Sequence, residues 1–255
     1  MRRSLVLAVS AVLALSSGAC MGMMGAAAPI DPAVYDAALS NPARPAEDRA
    51  RDPLRHAADT LAFAQVEPGQ KIGDMIIGGG YFTRIFASAV GAQGQVIAWQ
   101  PAEFIAFQAS YGESLTRIDE LANVDAIRSP IGAPAFPAGM DLMFTAQNYH
   151  DFHLKPFPTD TAAKVNAAVF QALKPGGLYV IVDHHAVNGA GLEVADSLHR
   201  IDIADVRREV QAAGFVLEAE SEVLANPADP LTASVFDPSI RGQTSQFMLR
   251  FRKPA

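Results

Sequence analysis

The chain has 255 residues, 50% of them hydrophobic and 18% charged, with 19 Gly and 17 Pro. That balance excludes a disordered or fibrous chain and supports a globular α/β body with a full core. A formal net charge of −7, with no basic stripe, argues against a nucleic-acid surface.

At the N-terminus Arg2-Arg3 precede an apolar run from Leu5 to Leu15, followed by Ser16-Ser17-Gly18-Ala19-Cys20. The run falls well short of the ~20 residues that span a bilayer and reads as a signal-peptide core. Removing residues 1–20 would take away two arginines and no acid, moving the net charge from −7 to −9. Cys20, the only cysteine, stands where a bacterial lipoprotein signal places its acylated residue, although Ser17 occupies the position that usually holds Leu. Ser17 with Ala19, or Ala26 with Ala28, also suits ordinary cleavage. The expectation is a periplasmic protein, or a lipoprotein attached to a membrane through lipidated Cys20. One cysteine permits no intramolecular disulfide.

Residues 21–52 read as a tether and an N-terminal helix, ahead of a domain over 53–255. Asp52-Pro53 reads as an N-cap and first helical position, opening a helix to about Gln65 that Glu67-Pro68-Gly69 stops. A first strand over 71–77 carries Asp74 and breaks into Gly78-Gly79-Gly80. The next helix, about 81–90, spaces Phe82, Ile85, Phe86 and Ala89 on one side. Strand two is Gln95–Trp99, residues 102–122 read as mostly helical, and strand three is Val124–Ile127. A Pro/Gly-rich connector over 129–139 leads to strand four, Asp141–Gln147. A helix over about 160–173 places Val165, Val169 and Leu173 four apart, and strand five is Leu178–Asp183. Asp202 reads as the N-cap of a helix from Ile203 to about Ala213, which Gly214 ends. Phe215–Ser221 and Gln246–Phe251 are the last strands. Residues 222–244, with three Xaa-Pro pairs and no helical period, read as a lid or binding loop.

Alternating strands and helices predict a parallel sheet covered on both faces, with ligands outside the carboxyl ends of the strands. There the chain offers Gly78, Gly79, Gly80, Trp99 and Gln100 from the first two strands. Strand four offers Asn148, Tyr149, His150, Asp151 and His153; strand five offers Asp183, His184 and His185; the following loop offers His199 and Arg200. Five of the six histidines fall on this one rim, with His56 the exception.

The order strand, Gly-rich loop, helix, then Lys174-Pro175-Gly176-Gly177 and a strand resembles the class I S-adenosylmethionine-dependent methyltransferases. Asn148-Tyr149-His150-Asp151, Asp183-His184, Leu198-His199-Arg200-Ile201-Asp202 and the C-terminal Arg250-Phe251-Arg252-Lys253-Pro254 further resemble a group of exported bacterial proteins described as predicted methyltransferases. This similarity runs from about residue 34 to the end. It implies a Rossmann-like, doubly wound, seven-stranded, mostly parallel sheet whose last strand is antiparallel.

The resemblance also implies roles for particular residues. Asp74 would order the loop or contact the amino-acid end of S-adenosylmethionine. Gly78, Gly79 and Gly80 would let backbone approach the cofactor, Gln100 would grip its ribose, and Asn148 with Tyr149 would line the transfer site. His150 is the preferred base, with Asp151 as its orienting carboxylate and His184 as second choice. Two positions depart from the family pattern. Ile76 stands where glycine is usual, and its stiff β-branched side chain predicts that the loop starts differently or later. Gln100 replaces an acid and is a weaker acceptor. Two other readings stay open: a non-catalytic ligand-binding module on the same fold, and a metal-dependent enzyme using His150, His153, Asp183, His184 or His185.

Overall fold

The computed structural model describes residues 30–255. The expected signal segment, Cys20 and the first part of the tether lie outside the described residues. The strands are β1 (Lys71–Met75), β2 (Gln95–Pro101), β3 (Val124–Ser129), β4 (Met140–Ala146), β5 (Leu173–His184), β6 (Val216–Ser221) and β7 (Gln246–Arg252). They form one sheet in the order β3-β2-β1-β4-β5-β7-β6. β1 to β5 pair in parallel, and β7 runs antiparallel to both β5 and β6. This is the expected doubly wound arrangement with its last strand reversed.

The β5 run Leu178-Tyr-Val-Ile-Val182 shows why the sheet needs cover on both sides. Alternate residues of a strand point to opposite faces, and here every one is apolar. Leu178, Val180 and Val182 pack into one cluster with α3 (Ala57–Phe63), α4 (Tyr81–Val90) and α6 (Ala109–Asp119). Tyr179 and Ile181 pack into the other, with α7 (Thr161–Ala172) and α9 (Ile203–Ala212). Burial of each large aliphatic or aromatic side chain contributes roughly 1.5–3 kcal/mol, so the two layers carry most of the fold's stability. On the first face Phe82, Phe86 and Phe144 interlock, the last two edge to face at 5.0 Å.

Several boundaries move for identifiable reasons. Asp52 is not an N-cap: Arg44 grips its carboxylate through two guanidinium nitrogens and the Tyr81 hydroxyl donates to it at 2.6 Å. With that side chain committed, 51–56 forms turns and the helix begins at Ala57. Short helices α1 (Asp36–Leu39) and α2 (Ala46–Arg49) precede it. The helical stretch expected over 102–122 is two helices, α5 (Ala102–Phe107) and α6, parted by an extended Gln108 at φ −141°. Leu173 does not end α7. It has ψ 143° and opens β5 opposite Met140, with an irregularity in register before Leu178 pairs with Leu142. Asp202 does cap α9, accepting from Ala204 N at 2.8 Å. A short helix α8 (Glu193–Leu198) breaks the loop after β5, and His150–His153 form a single 3-10 turn. Among the described residues no helix is long and apolar enough to cross a membrane.

Candidate active site

At the carboxyl ends of β1, β2, β4 and β5 lies a cavity of about 980 Å³. That is the upper end of the size range for small-molecule sites and leaves room for two ligands side by side. Its floor on one side is the turn after β1. β1 stops at Met75, and Ile76 takes φ +56°, the left-handed conformation that costs a β-branched residue about 1–2 kcal/mol. The loop therefore starts where a glycine would start it, contrary to the expectation that it starts differently or later. Tertiary contacts impose this: Ile76 N donates to Trp99 O at 2.8 Å, and the Asn148 amide donates to Ile76 O at 3.1 Å. The side chain is buried among Met75, Ile97 and Trp99 while also lining the cavity.

A stability measurement follows from that geometry. Ile76→Gly and Ile76→Ala each lose buried apolar contacts, but only the alanine keeps the left-handed strain. Ile76→Gly should therefore be more stable than Ile76→Ala by about 1 kcal/mol, the reverse of the usual order. Urea unfolding of the pair decides it, and alanine proving the more stable would rule out the strained turn.

Gly78 and Gly79 face the cavity, and a Cβ built on either meets no atom within 4 Å. Gly80 does not line it; it is the N-cap of α4 at φ +78°, where a Cβ would strike Ile118 at 2.6 Å. Beneath the loop Asp74 accepts from the Thr83 hydroxyl at 2.5 Å, and burial pushes its carboxyl up to about 7 despite that bond. Gln100 is placed differently from its expected ribose role. It is fully buried, does not line the cavity, and accepts from Gly78 N at 3.0 Å, so it braces the loop from behind. An acid does reach the cavity nearby: Glu103 on α5, one oxygen of which accepts from Ile131 N at 2.9 Å. Register explains the difference, since Gln100 and Pro101 still belong to β2 and the helix that carries Glu103 begins only at Ala102. Arg55, which sequence reasoning passed over, lines the same end. It stacks on Tyr81 at 4.6 Å and bonds Gln147 Oε1 at 3.2 Å, with no carboxylate partner among the described residues.

The other end of the cavity is built from histidines and aspartates. His150 is buried, and fully buried Asp183 holds it twice: Asp183 Oδ2 accepts from His150 N at 2.7 Å and Oδ1 meets Nδ1 at 2.8 Å. His150 Nε2 lies 3.2 Å from Asp151 Oδ1. Asp183, rather than Asp151, is thus the orienting carboxylate, and Asp151 sits on the cavity side. Burial alone would lower His150, but the charges of Asp183 and then Asp151 outweigh it and raise it to about 9. His184 goes the other way, burial pulling it down to about 4, with its Nδ1 at 2.8 Å from the Thr244 hydroxyl. The site therefore holds one histidine charged and one neutral at pH 7. His199 completes the group, its ring 5.4 Å from that of His150 and 4.8 Å from Phe236.

Tyr149 turns out of this site. It is fully buried on the α7 side, bonded to Glu209 and Asn166, and does not line the cavity. His153 joins Glu209 at 3.1 Å, and His185 packs on Phe247; neither reaches the cavity. Arg200 is buried too, paired with Asp229. The irregular segment 222–244 brings Val235 and Phe236 over the histidine end, where it forms part of the wall. Side-chain direction at strand ends depends on half a residue turn of backbone, which periodicity does not resolve.

Solved structures share this fold. A SAM-dependent methyltransferase from Aquifex aeolicus aligns at TM-score 0.54 and 17% identity, covering 88% of this chain and 99% of its own. An arsenic(III) S-adenosylmethionine methyltransferase from Chlamydomonas reinhardtii gives 0.53 at 17% identity, over 89% and 75% of the two chains. The [4+2]-cyclase SpnF gives 0.57 at 16%, over 82% of each. At these identities the likeness establishes the methyltransferase fold and nothing finer. No family model matches the sequence, and no curated protein matches it.

Proposed function

We propose that the chain binds S-adenosylmethionine at the glycine-loop end of the cavity and transfers its methyl group to an acceptor held at the histidine end. The observation that carries this reading is one continuous cavity joining a side-chain-free loop, Asp74, Glu103 and Arg55 to the His150–Asp151–His199 group. The residues present suit the cofactor. Open space over Gly78 and Gly79 accepts a bulky group against the backbone. Arg55 offers a guanidinium for a carboxylate, Asp74 a buried carboxyl for an ammonium, and Glu103 an acceptor for ribose hydroxyls. Bound there, the cofactor supplies an electrophilic methyl on sulfur. The chain's part is alignment and exclusion of water, which can account for most of such a rate gain. His150, raised to about 9 by the two aspartates that flank it, would hold its proton at pH 7 and orient the acceptor rather than serve as the expected base.

Binding of S-adenosylhomocysteine followed by calorimetry tests the reading directly. Glu103→Gln and Arg55→Met should each weaken it by roughly tenfold, the size of one lost charge-assisted pair. Ile76→Gly, which clears a side chain from the wall, should tighten it. No heat with S-adenosylhomocysteine would sink the proposal and leave a non-cofactor binding module, a use the fold admits.

Asp74 gives a second test with opposite signs for stability and binding. Its folded value is raised from 3.8 to about 7, so the fold disfavours its charge. The stability it subtracts begins above pH 3.8 and deepens until about pH 7. Asp74→Asn should thus be more stable than wild type at pH 8, by on the order of 2–4 kcal/mol, with the gap closing toward pH 4. Binding of S-adenosylhomocysteine should fall in the same variant. Melting curves across pH and one titration check both, and a less stable asparagine variant would refute the buried-charge account.

Export belongs to the same proposal and rests on Arg2-Arg3, the short apolar run and Cys20. Fractionation of cells making wild type and Cys20→Ala should find wild type in the membrane fraction and the variant soluble in the periplasm. Both forms uncleaved in the cytoplasm would overturn it.

A further inference from the structure

We infer that His150, Asp151 and His199 form a binding site for one first-row divalent metal ion, of the kind that takes two imidazoles and a carboxylate. One donor atom from each of the three lies within 4.8 Å of the other two. Metal–ligand bonds of about 2.0–2.1 Å at tetrahedral or octahedral angles put donors roughly 2.9–3.4 Å apart. His150 Nε2 and Asp151 Oδ1 already stand 3.2 Å apart, and His199 Nδ1 is 3.9 Å from the same oxygen. The His199 side chain is 28% exposed, and a ring rotation that carries its donor inward by roughly 0.5–1.4 Å would bring it to bonding separation from both partners.

A second, independent feature is the support behind His150. Metal-binding histidines give their other ring nitrogen to a carboxylate or carbonyl, which fixes the tautomer and the ring plane. Asp183, wholly buried, does this at Nδ1 and also takes the His150 backbone N–H, leaving Nε2 as the only nitrogen aimed at Asp151. His199 stands at φ +54°, a conformation His tolerates better than most residues but still a strained one. The 3-10 turn that carries His150 and Asp151 and the end of α8 that carries His199 come from distant parts of the chain. All three residues line the cavity, so an ion held by them would be reachable from it. Three protein ligands with open positions are the pattern of a working rather than a structural metal site. Two nitrogens and one oxygen suit zinc, iron(II), cobalt(II) or manganese(II) better than magnesium or calcium. The ligand such an ion would accept is an anionic oxygen, a phenolate, alkoxide or carboxylate. That last role rests on the methyl-transfer reading; metal binding does not.

The test uses full-length protein stripped with chelator and no cofactor, at about pH 8, where the ion must displace the proton that Asp183 and Asp151 favour on His150. Cobalt(II) is followed by its visible absorption and zinc by calorimetry, for wild type, His199→Ala, Asp151→Asn and the exposed control His56→Ala. One equivalent should bind wild type and the control alike, raise their melting temperature, and bind at least about tenfold more weakly to the two site variants. No binding to wild type, or binding unchanged in both site variants, overturns the site. Adding S-adenosylhomocysteine to the same metal-free sample separates this result from the cofactor reading, since either can fail alone.

Discussion

Asp183→Asn is expected to destabilise the protein by roughly 3–5 kcal/mol at pH 7, the usual cost of breaking a buried charged pair by removing one partner. Asp183 accepts from the His150 backbone N–H and the His184 backbone N–H and pairs with the His150 ring, all with no solvent exposure. Burial would raise its carboxyl, but the His150 charge and hydrogen bond outweigh burial and hold it below the usual carboxylate range. An asparagine offers one acceptor where three contacts exist, and its amide would face a donor. The loss should depend on pH in a definite direction. His150 is raised from 6.5 to about 9, so the stability from its charged form is complete below pH 6.5 and disappears as pH rises through about 9. The part due to Asp183, whose folded value is depressed, is present above the ordinary carboxylate range and lost only as pH falls through that depressed value. The difference between wild type and variant should therefore be largest near pH 6.5 and shrink by pH 9.5. His184, depressed to about 4, gives wild type a separate loss as pH falls below 6.5. Urea unfolding at three pH values reads all of this. A difference under about 1 kcal/mol, or one that does not vary with pH, would remove Asp183 as the anchor of the histidine group.

Arg200→Met should cost a similar roughly 3–5 kcal/mol and should loosen one wall of the cavity as well. Both side chains of the Arg200–Asp229 pair are wholly buried, joined at 2.9 and 3.0 Å. Arg200 also donates to His185 O at the end of β5 and to Ala233 O, while Asp229 accepts from Leu231 N and Ser245 N. The pair thus ties the irregular segment, with Val235 and Phe236, to the sheet. Methionine leaves a carboxylate buried without its cation. Hydrogen exchange over 226–245 should accelerate in the variant while β1 and β4 keep their protection. Adding Asp229→Asn should restore part of the loss by removing the stranded charge. A single variant as stable as wild type, with unchanged protection, would show that the segment is held by something else.

Local pattern in the sequence was enough for the sheet. Uniformly apolar Leu178–Val182, the break at Gly78–Gly80 and Lys174-Pro-Gly-Gly mark buried parallel strands and their turns, because periodicity and backbone freedom are properties of neighbouring residues. The strand ends carrying polar residues were legible for the same reason, and so was the rim that holds His150, His184 and His199. The reversed last strand was signalled by the irregular 222–244 segment, which breaks the strand–helix alternation, while the seven-stranded arrangement came from resemblance.

Which of those polar groups meet in one cavity was decided by tertiary contacts. Trp99 and Asn148 force Ile76 into a conformation its own side chain disfavours. The end of β2 turns Gln100 inward and lets Glu103 reach the cavity, and Tyr149 is drawn to Glu209 on the far face. Asp183 becomes the partner of His150 only because β5 lies beside β4 in the sheet. Each outcome depends on contacts between residues far apart in sequence, whose energies of a few kcal/mol override local preference.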